Sequence, residues 1–246
     1  MTALAMEAID WGDRRMNYFF KNNKAIDLKN LTIALPIVLL ILFPFEVSSR
    51  EINLKESAFK SADVSRIQIS AYRAAVKVIA TDSPQVLVRA RKIIPEKEVG
   101  PSGDAWNLVS SLESGTLNIE AKGPPEKSIW SESQPVVPEF TIEIEVGRQP
   151  LEVTLREGSL LTSKGKNDFK IVFVDGEIKM SKNEGEVKIQ GVKGNIQIED
   201  QKGRVEIEQQ QGKVGIQGLE GDLVVKNFSG DSNISQVHGA IRVVSR

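Results

Sequence analysis

A glycine recurs every nine residues along the last part of the chain, and this period constrains the fold more than any other feature. The second and fourth residues after each glycine are nearly always aliphatic, as in Gly185-Glu-Val-Lys-Ile. A fixed period of this kind is typical of proteins built from stacked structural repeats. The glycines that define it are Gly176, Gly185, Gly194, Gly203, Gly212, Gly221, Gly230 and Gly239.

The same frame extends backwards to Phe140, which gives twelve units in all. Of their 24 second and fourth positions, all but Thr162 and Ser232 are apolar, whereas a 40% hydrophobic composition would give about ten by chance. Nine of the twelve units begin with glycine. Asn167 begins one of the others, and because asparagine tolerates a positive φ better than most residues, we expect it to replace glycine in conformation.

Each unit has the pattern of a short strand followed by a turn. The second and fourth residues point to the same side of a strand, so alternation such as Val205-Glu-Ile207 predicts a strand buried on one face. Strands this short are stable only when neighbouring units stack and pair their backbones. The sequence therefore predicts an all-β protein, a β-solenoid (β-helix) of nine-residue repeats. Two or three units could make one coil, and we favour two.

The predicted solenoid domain covers residues 63–246, with excursions near 95–105 and 122–139. Residues 49–62 are predicted to be a linker or a capping strand. Before the excursions the chain already shows apolar pairs at similar spacing, and between the two excursions the pattern resumes. The residues concerned are Ile67 with Ile69, Val76 with Val78, Val86 with Val88, and then Leu108, Leu117 and Ile119.

Residues 31–45, LTIALPIVLLILFPF, carry no charge and predict a membrane span. Five basic residues precede this stretch but only Arg50 and Lys55 follow closely, so the positive-inside rule places residues 1–30 in the cytoplasm. We therefore predict a signal anchor over residues 31–48 in a bacterial cytoplasmic membrane, with the solenoid periplasmic or at the cell surface. A signal peptide cleaved near Val47 is the alternative, which the long region before the apolar stretch disfavours.

Composition excludes several classes of function. The formal net charge of −1 and the absence of an aromatic-rich basic stretch argue against a nucleic-acid partner. The chain has no cysteine, so it has neither disulfides nor thiolate metal sites. Nine is also the period of calcium-binding β-rolls, but these need Gly-Gly-x-Gly-x-Asp, and no Gly-Gly pair occurs. We expect no metal and no cofactor.

No catalytic motif is present either. His238 is the only histidine and stands in a turn, where no second imidazole can complete a site. Two carboxylate pairs lie on outward strand faces, which are solvated as a rule. They are Glu143 with Glu145 and Glu206 with Glu208. We predict that the protein is not an enzyme.

Candidate partner contacts lie where the repeat is interrupted or stops. The insert near 122–139 holds Ile129, Trp130, Val136 and Val137, which either dock a partner or pack as a flap over the solenoid. In the last unit, Arg242 and Arg246 flank a strand that offers unpaired backbone groups to another chain, unless their charge blocks such pairing.

From about residue 60 onwards the chain resembles the putative-adhesin family of bacterial envelope β-solenoids, which is related to the auto-transporter adhesin head. The resemblance rests on the three early apolar pairs, on Phe140-Thr-Ile-Glu-Ile-Glu-Val146 and on the Gly-x-Val-x-Ile repeats. It implies an envelope β-solenoid that often follows one membrane helix, and it implies no catalytic residues.

These features predict a non-enzymatic, membrane-anchored cell-envelope protein whose β-solenoid is an adhesin-like or scaffold module for protein binding. Expected partners are the membrane, through a single span, other envelope proteins or cell-wall glycan, and a second copy through the solenoid ends. Two alternatives stay open. One is an envelope-stress sensor that signals through residues 1–30, and the other is a structural protein that polymerises end to end, as bactofilins do.

Overall fold

The structure is a computed structural model that describes residues 49–95, 105–123 and 137–245. The predicted membrane segment lies outside these ranges, as do residues 1–30 and four candidate contacts, Ile129, Trp130, Val136 and Arg246. Within the ranges described, no helix is both long and apolar enough to cross a membrane.

The described residues form fourteen strands and one short 3-10 turn, Ser61–Asp63, which confirms the all-β prediction. The strands are β1 Ser49–Asn53, β2 Ser57–Lys60, β3 Arg66–Ala80, β4 Gln85–Pro95, β5 Asn107–Glu113, β6 Thr116–Lys122, β7 Glu139–Val146, β8 Leu151–Ser163, β9 Phe169–Ser181, β10 Val187–Lys202, β11 Val205–Glu220, β12 Leu223–Asn227, β13 Ser232–His238 and β14 Ile241–Ser245. Their main order is β1-β4-β7-β3-β8-β9-β10-β11-β12-β14, and the sheet does not close on itself.

Among the strands from β8 onwards every pairing is parallel, and register partners lie two nine-residue units apart in the sequence. Val187 in β10, for example, pairs with Phe169 in β9 and with Val205 in β11. Each long strand carries two units in succession, and the chain then returns to the same position one strand further along the sheet. This register places apolar side chains over apolar side chains from strand to strand, which is why the repeat persists in the sequence.

The inward positions of the repeat form the core. In the ten units that begin at positions 140 to 221, every second and fourth residue is buried, including the polar Thr162. All the apolar ones belong to one continuous hydrophobic cluster, to which both units of each two-unit period contribute. Burying one such aliphatic side chain is worth about 1.5–3 kcal/mol before entropy is counted.

Where a unit begins with glycine, a larger residue would not fit, because the backbones approach closely there. Gly194 has φ 147°, and a Cβ built on it would lie 1.9 Å from the carbonyl oxygen of Gly176. Asn167 does not adopt this conformation, because it is not one of the non-glycine residues whose φ is positive. Our prediction for it was wrong. Its side chain is buried, and Nδ2 donates to the carbonyl oxygens of Gly147 at 2.9 Å and Gln149 at 2.8 Å.

A left-handed residue marks one bend in each two-unit period, and the sequence did not reveal it. The φ values there lie between 51° and 70°. The residues at this bend are lysine, aspartate, glutamine and one glycine, so no single residue type predicts the bend from the sequence. They are Lys164, Lys182, Asp200, Gly218 and Gln236.

The first strands differ from the later ones in direction. Ile67 and Val76 in β3 pair in parallel with Leu151 and Leu160 in β8, as the early apolar pairs predict. Strand β4, however, runs antiparallel to β1, β2 and β7, so its apolar residues do not continue the parallel repeat as we expected. Strands β5 and β6 form an antiparallel pair, and β6 joins β3 in parallel. Antiparallel strands therefore flank the parallel stack at its beginning.

Candidate functional site

Several outward charges are paired along the stack. Six ion pairs in the described ranges join side chains that lie two repeat units apart, and the shortest links Lys170 Nζ to Glu152 Oε1 at 2.6 Å. Exposed pairs of this kind contribute about 0–1 kcal/mol each. They are Lys166–Glu184, Lys170–Glu152, Lys188–Glu206, Lys193–Asp175, Lys202–Glu220 and Lys226–Glu208.

The outward carboxylates considered as catalytic pairs are engaged in the same way. Arg89 contacts Glu145 at 2.6 Å and Glu143 at 3.4 Å, and Lys77 contacts Glu143 at 3.0 Å. The hydrogen bond from Lys77 is the largest factor that lowers the pKa of Glu143, although partial desolvation opposes it. A carboxylate with a lowered pKa stays ionised at neutral pH and is a poor proton donor. Glu206 and Glu208 likewise lie within ion-pair distance of Lys188 and Lys226.

Stability should therefore decrease in acid partly through Glu152. The hydrogen bond from Lys170 is the main cause of its lowered pKa. A carboxyl group whose pKa is lower in the folded state stabilises the fold above its unfolded pKa of about 4.3 and loses that contribution as the pH falls through the folded pKa. We expect Glu152→Gln to remove at most about 1 kcal/mol of the acid-induced loss.

The measurement is urea denaturation of both proteins between pH 7 and pH 3. Lys170→Met should flatten the same part of the profile, because it removes the donor. Parallel profiles for the wild type and Glu152→Gln would show that this pair contributes nothing.

The surface formed by β10, β11 and β13 differs from these self-paired faces. In this register the outward residues form a grid with Gly215 at its centre: three from β10, three from β11, two from β13, and Asp231 just before β13. A Cβ on Gly215 would find no heavy atom nearer than the Ile196 carbonyl oxygen at 3.8 Å, so the missing side chain leaves open space. The rest of the grid consists of Asn195, Gln197, Glu199, Lys213, Gln217, Asp231, Asn233 and Ser235.

This opening is a cavity in that surface, and we call it the Gly215 cleft. Its volume is about 560 Å³, and Glu177 extends its rim. Its floor is the strand backbone, over the buried side chains of Ile196, Val214 and Ile216. The depression depends on glycine, because the residues on either side of Gly215 in the same column are Gln197 and Asn233.

The polar groups around the cleft are mostly without protein partners. Asn195, Gln217 and Asn233 make no side-chain hydrogen bond to any residue that the structure describes, and neither does Ser235. Lys213 and Asp231 are two units apart in one column, yet they form no ion pair with each other of the kind seen elsewhere. Exceptions lie at the rim, where Gln197 donates to Glu199 at 2.6 Å and Lys179 contacts Glu177 at 2.9 Å. The cleft therefore presents donors and acceptors to solvent.

The described candidate contacts lie away from this cleft. Val137 is half-buried just before β7, and Arg242 is exposed on β14, opposite Val224 of β12. Strands β7 and β14 are far apart in the strand order, so the structure does not bring the two residues together. Sequence reasoning missed the cleft, although a signal was present. Gly215 stands between two inward residues, outside the nine-residue glycine series.

The last described strands expose residues that are buried in earlier ones. Ile241 and Val243 are 53% and 43% exposed, whereas Leu223 and Val225, their partners in β12, are buried. Within the described part of the chain, β14 pairs only with β12 and β13 only with β11. Self-association through this end stays a prediction.

In the described ranges, no group of three or more histidine, aspartate or glutamate side chains could hold a metal ion. The cleft offers instead a mixture of amides, one hydroxyl and a few charges. Its chemistry is that of non-covalent recognition of a polar ligand, since an amide can both donate and accept hydrogen bonds.

No protein-family model matches the chain, and no curated protein matches it. Among solved structures, the chain is similar to a putative cell adhesion protein from Clostridium sporogenes ATCC 15579, with 12% identity, 81% of this chain and 100% of that chain covered, and a TM-score of 0.41. A putative lipid binding protein from Parabacteroides distasonis ATCC 8503 shares 15% identity over 80% of this chain and 96% of its own, with a TM-score of 0.23. A putative adhesin from Bacteroides fragilis NCTC 9343 shares 10% identity over 81% and 99%, with a TM-score of 0.25.

Proposed function

We propose that this chain is a membrane-anchored protein of the bacterial cell envelope and that its β-solenoid is a non-enzymatic, adhesin-like interaction module. The observation that carries the proposal is the Gly215 cleft. Six ion pairs join outward side chains along the stack, whereas this region leaves amides, a hydroxyl and charges without partners around an open centre. Polar groups arranged on rigid strands and left unpaired are suited to hold an external partner.

The solenoid is the finer part of the proposal, and the pairing register supports it. One coil would consist of two nine-residue units, because parallel partners such as Val187 and Val205 lie two units apart. The shared hydrophobic cluster and the close glycine contacts are what such winding requires. Successive coils would then repeat the same outward position about every 4.8 Å, which gives a long, regular binding surface.

A non-enzymatic role is supported by how the outward acids are used. Glu143 and Glu152 have lowered pKa values because lysine ammonium groups donate hydrogen bonds to them. Their partners hold them ionised and oriented along the sheet surface. A general acid would instead need a raised pKa in a sheltered position.

Membrane anchoring and an extracytoplasmic position are proposed from the sequence. The uncharged stretch at residues 31–45 and the excess of basic residues before it are the supporting observations. In this arrangement residues 1–30 are cytoplasmic and the solenoid faces the cell wall or the exterior.

Cysteine labelling tests this placement cleanly, because the native chain has no cysteine. We expect Ser235→Cys, at the exposed edge of the cleft, to react with a membrane-impermeant maleimide in intact spheroplasts. Asn22→Cys is the matched control and should react only after the membrane is permeabilised. Protection of Ser235→Cys in intact spheroplasts, with labelling after lysis, would place the solenoid in the cytoplasm and overturn the proposal.

A further inference from the structure

The Gly215 cleft has the geometry of a small binding site rather than of a flat sheet face. Its three strands are about 4.8 Å apart, and alternate residues along each strand are about 7 Å apart. Eight side chains therefore surround the empty central position at regular spacing. The volume of about 560 Å³ lies within the usual range for small-ligand sites.

The chemistry around the centre favours a neutral ligand. Five of the eight side chains are amides or a hydroxyl, and the charged ones are Glu199, Lys213 and Asp231, with formal charges of −1, +1 and −1, which sum to −1. A polyanion would be repelled rather than attracted by this set. Each amide can accept one hydrogen bond and donate another to neighbouring hydroxyl groups of the same ligand.

Peptide and protein partners fit this site less well. Strand addition needs an open backbone edge, and among the described strands at the cleft only the outer side of β13 offers one, because β11 is paired with β10 and with β13. A peptide added along that outer side would lie beside β13 and would not occupy the space above Gly215. Stable protein interfaces have an apolar or aromatic centre. Here the centre is glycine, the rim is polar, and the apolar residues that line the floor are buried.

We propose that the Gly215 cleft binds a neutral oligosaccharide, with a disaccharide-sized segment held by the amide side chains of three neighbouring strands. This inference rests on the proposed function and gives its partner a chemical class. The sugar rings would occupy the space above Gly215, and their hydroxyl groups would bond to Asn195, Gln217 and Asn233. A longer glycan would continue along the outward columns, which repeat the strand spacing.

Gly215→Gln provides a sharp test because it fills the centre without disturbing the fold. Position 215 is an outward position in strand β11, and a Cβ there would be in ordinary contact only. The glutamine side chain also continues the column already formed by Gln197 and Asn233. Asn195→Ala removes one proposed hydrogen-bonding group and provides a second variant. Gln190→Ala, which removes an exposed amide that does not line the cleft, is the matched control.

The experiment uses the full chain in detergent micelles and isothermal titration calorimetry with three probes at equal concentration. Chitotetraose and cellotetraose are neutral, and tetragalacturonic acid is anionic. We expect saturable binding of at least one neutral probe and none of the anionic probe. Gly215→Gln should weaken binding at least about tenfold and Asn195→Ala by about three- to tenfold, while Gln190→Ala should bind as the wild type does.

Circular dichroism and urea midpoints should show that all variants are folded. Failure of the folded wild type to bind either neutral probe would overturn the inference, as would unchanged binding by Gly215→Gln or a preference for the anionic probe. The labelling of Ser235→Cys is independent of these results. If no sugar binds but Ser235→Cys is labelled from outside, only the proposed ligand class is wrong. If Ser235→Cys is protected from labelling, the proposed function itself is wrong.

Discussion

Gly194→Ala should abolish cooperative folding or destabilise the protein by more than about 4 kcal/mol, which is exceptional for the addition of one methyl group. The new Cβ would lie 1.9 Å from the carbonyl oxygen of Gly176 and 2.9 Å from its carbonyl carbon. Both are backbone atoms within a parallel stack, so the clash cannot be relieved by a rotamer change. In addition, φ at Gly194 is 147°, a conformation that alanine rarely adopts.

Gly215→Ala is the matched control for this prediction, because it makes the same chemical change in strand β11 where open space is available. It should leave stability unchanged or raise it by about 0.5–1 kcal/mol, since glycine weakens a strand interior. The measurement is the urea midpoint of unfolding of the full chain, with far-ultraviolet circular dichroism as the signal. Equal midpoints for Gly194→Ala and the wild type would contradict the close stacking described above.

The second large effect concerns the buried ring of Phe173, which lies over Gly191 in the next strand. The two residues are register partners, and a Cβ on Gly191 would lie 2.4 Å from the ring. Phe173→Ala should cost about 3–5 kcal/mol, because it removes a fully buried aromatic side chain and leaves a cavity. Gly191→Ala alone should cost about 1–3 kcal/mol through overpacking.

The double variant distinguishes direct contact from two separate defects. With the ring removed, the methyl group at position 191 has room, so the combined loss should be at least about 1 kcal/mol smaller than the sum of the single losses. Urea denaturation of the four proteins measures this coupling. Additive losses would show that the ring does not occupy the space above Gly191.

The repeat predicted the strands and core well because both depend on the inward residues. Ile189, Ile207 and Val225 occupy one column and are buried, and their apolar character is visible in the sequence. The number of units between register partners could not be read from the sequence, because periodicity alone does not state it. Two or three were possible, we favoured two, and the register has two.

Features that depend on backbone conformation or strand direction were harder to predict. The bend at Lys182 has φ 55°, although lysine has no particular preference for that conformation. Val86 and Val88 alternate like any repeat residues, but they lie in a strand that runs antiparallel to β7. An alternating pattern fixes which side of a strand is buried, and it does not fix the direction in which the strand runs.

Asn167 shows why one residue can be misread at a repeat position. Its place in the glycine series suggested a conformational role, but its amide is buried and bonds to backbone carbonyl groups of the preceding turn. Gln209 acts similarly, with Nε2 donating to the carbonyl oxygen of Gly194 at 2.6 Å. Such buried amides donate hydrogen bonds to carbonyl groups at the bends, where the hydrogen bonds between strands do not satisfy these groups.

The candidate site could be predicted only in part. Outward positions were expected to be polar, and the structure adds which of them are neighbours. The grid around Gly215 combines residues from three strands whose paired members are separated by two repeat units in the sequence. Without that register, Asn195, Gln217 and Asn233 are ordinary exposed amides with no reason to be considered together.

Both the proposed solenoid and the Gly215 cleft rest on a pairing register of two nine-residue units. Thiol cross-linking tests this winding directly in a chain without native cysteines. We expect Lys188→Cys with Glu206→Cys, which are register partners two units apart, to be joined rapidly within one chain by a short methanethiosulfonate cross-linker. Lys188→Cys with Gln197→Cys, which are one unit apart and which the proposed winding places on opposite sides of the core, should not react. Mass spectrometry of the monomer reads out both pairs. Efficient cross-linking of the one-unit pair, with none for the two-unit pair, would contradict the proposed winding.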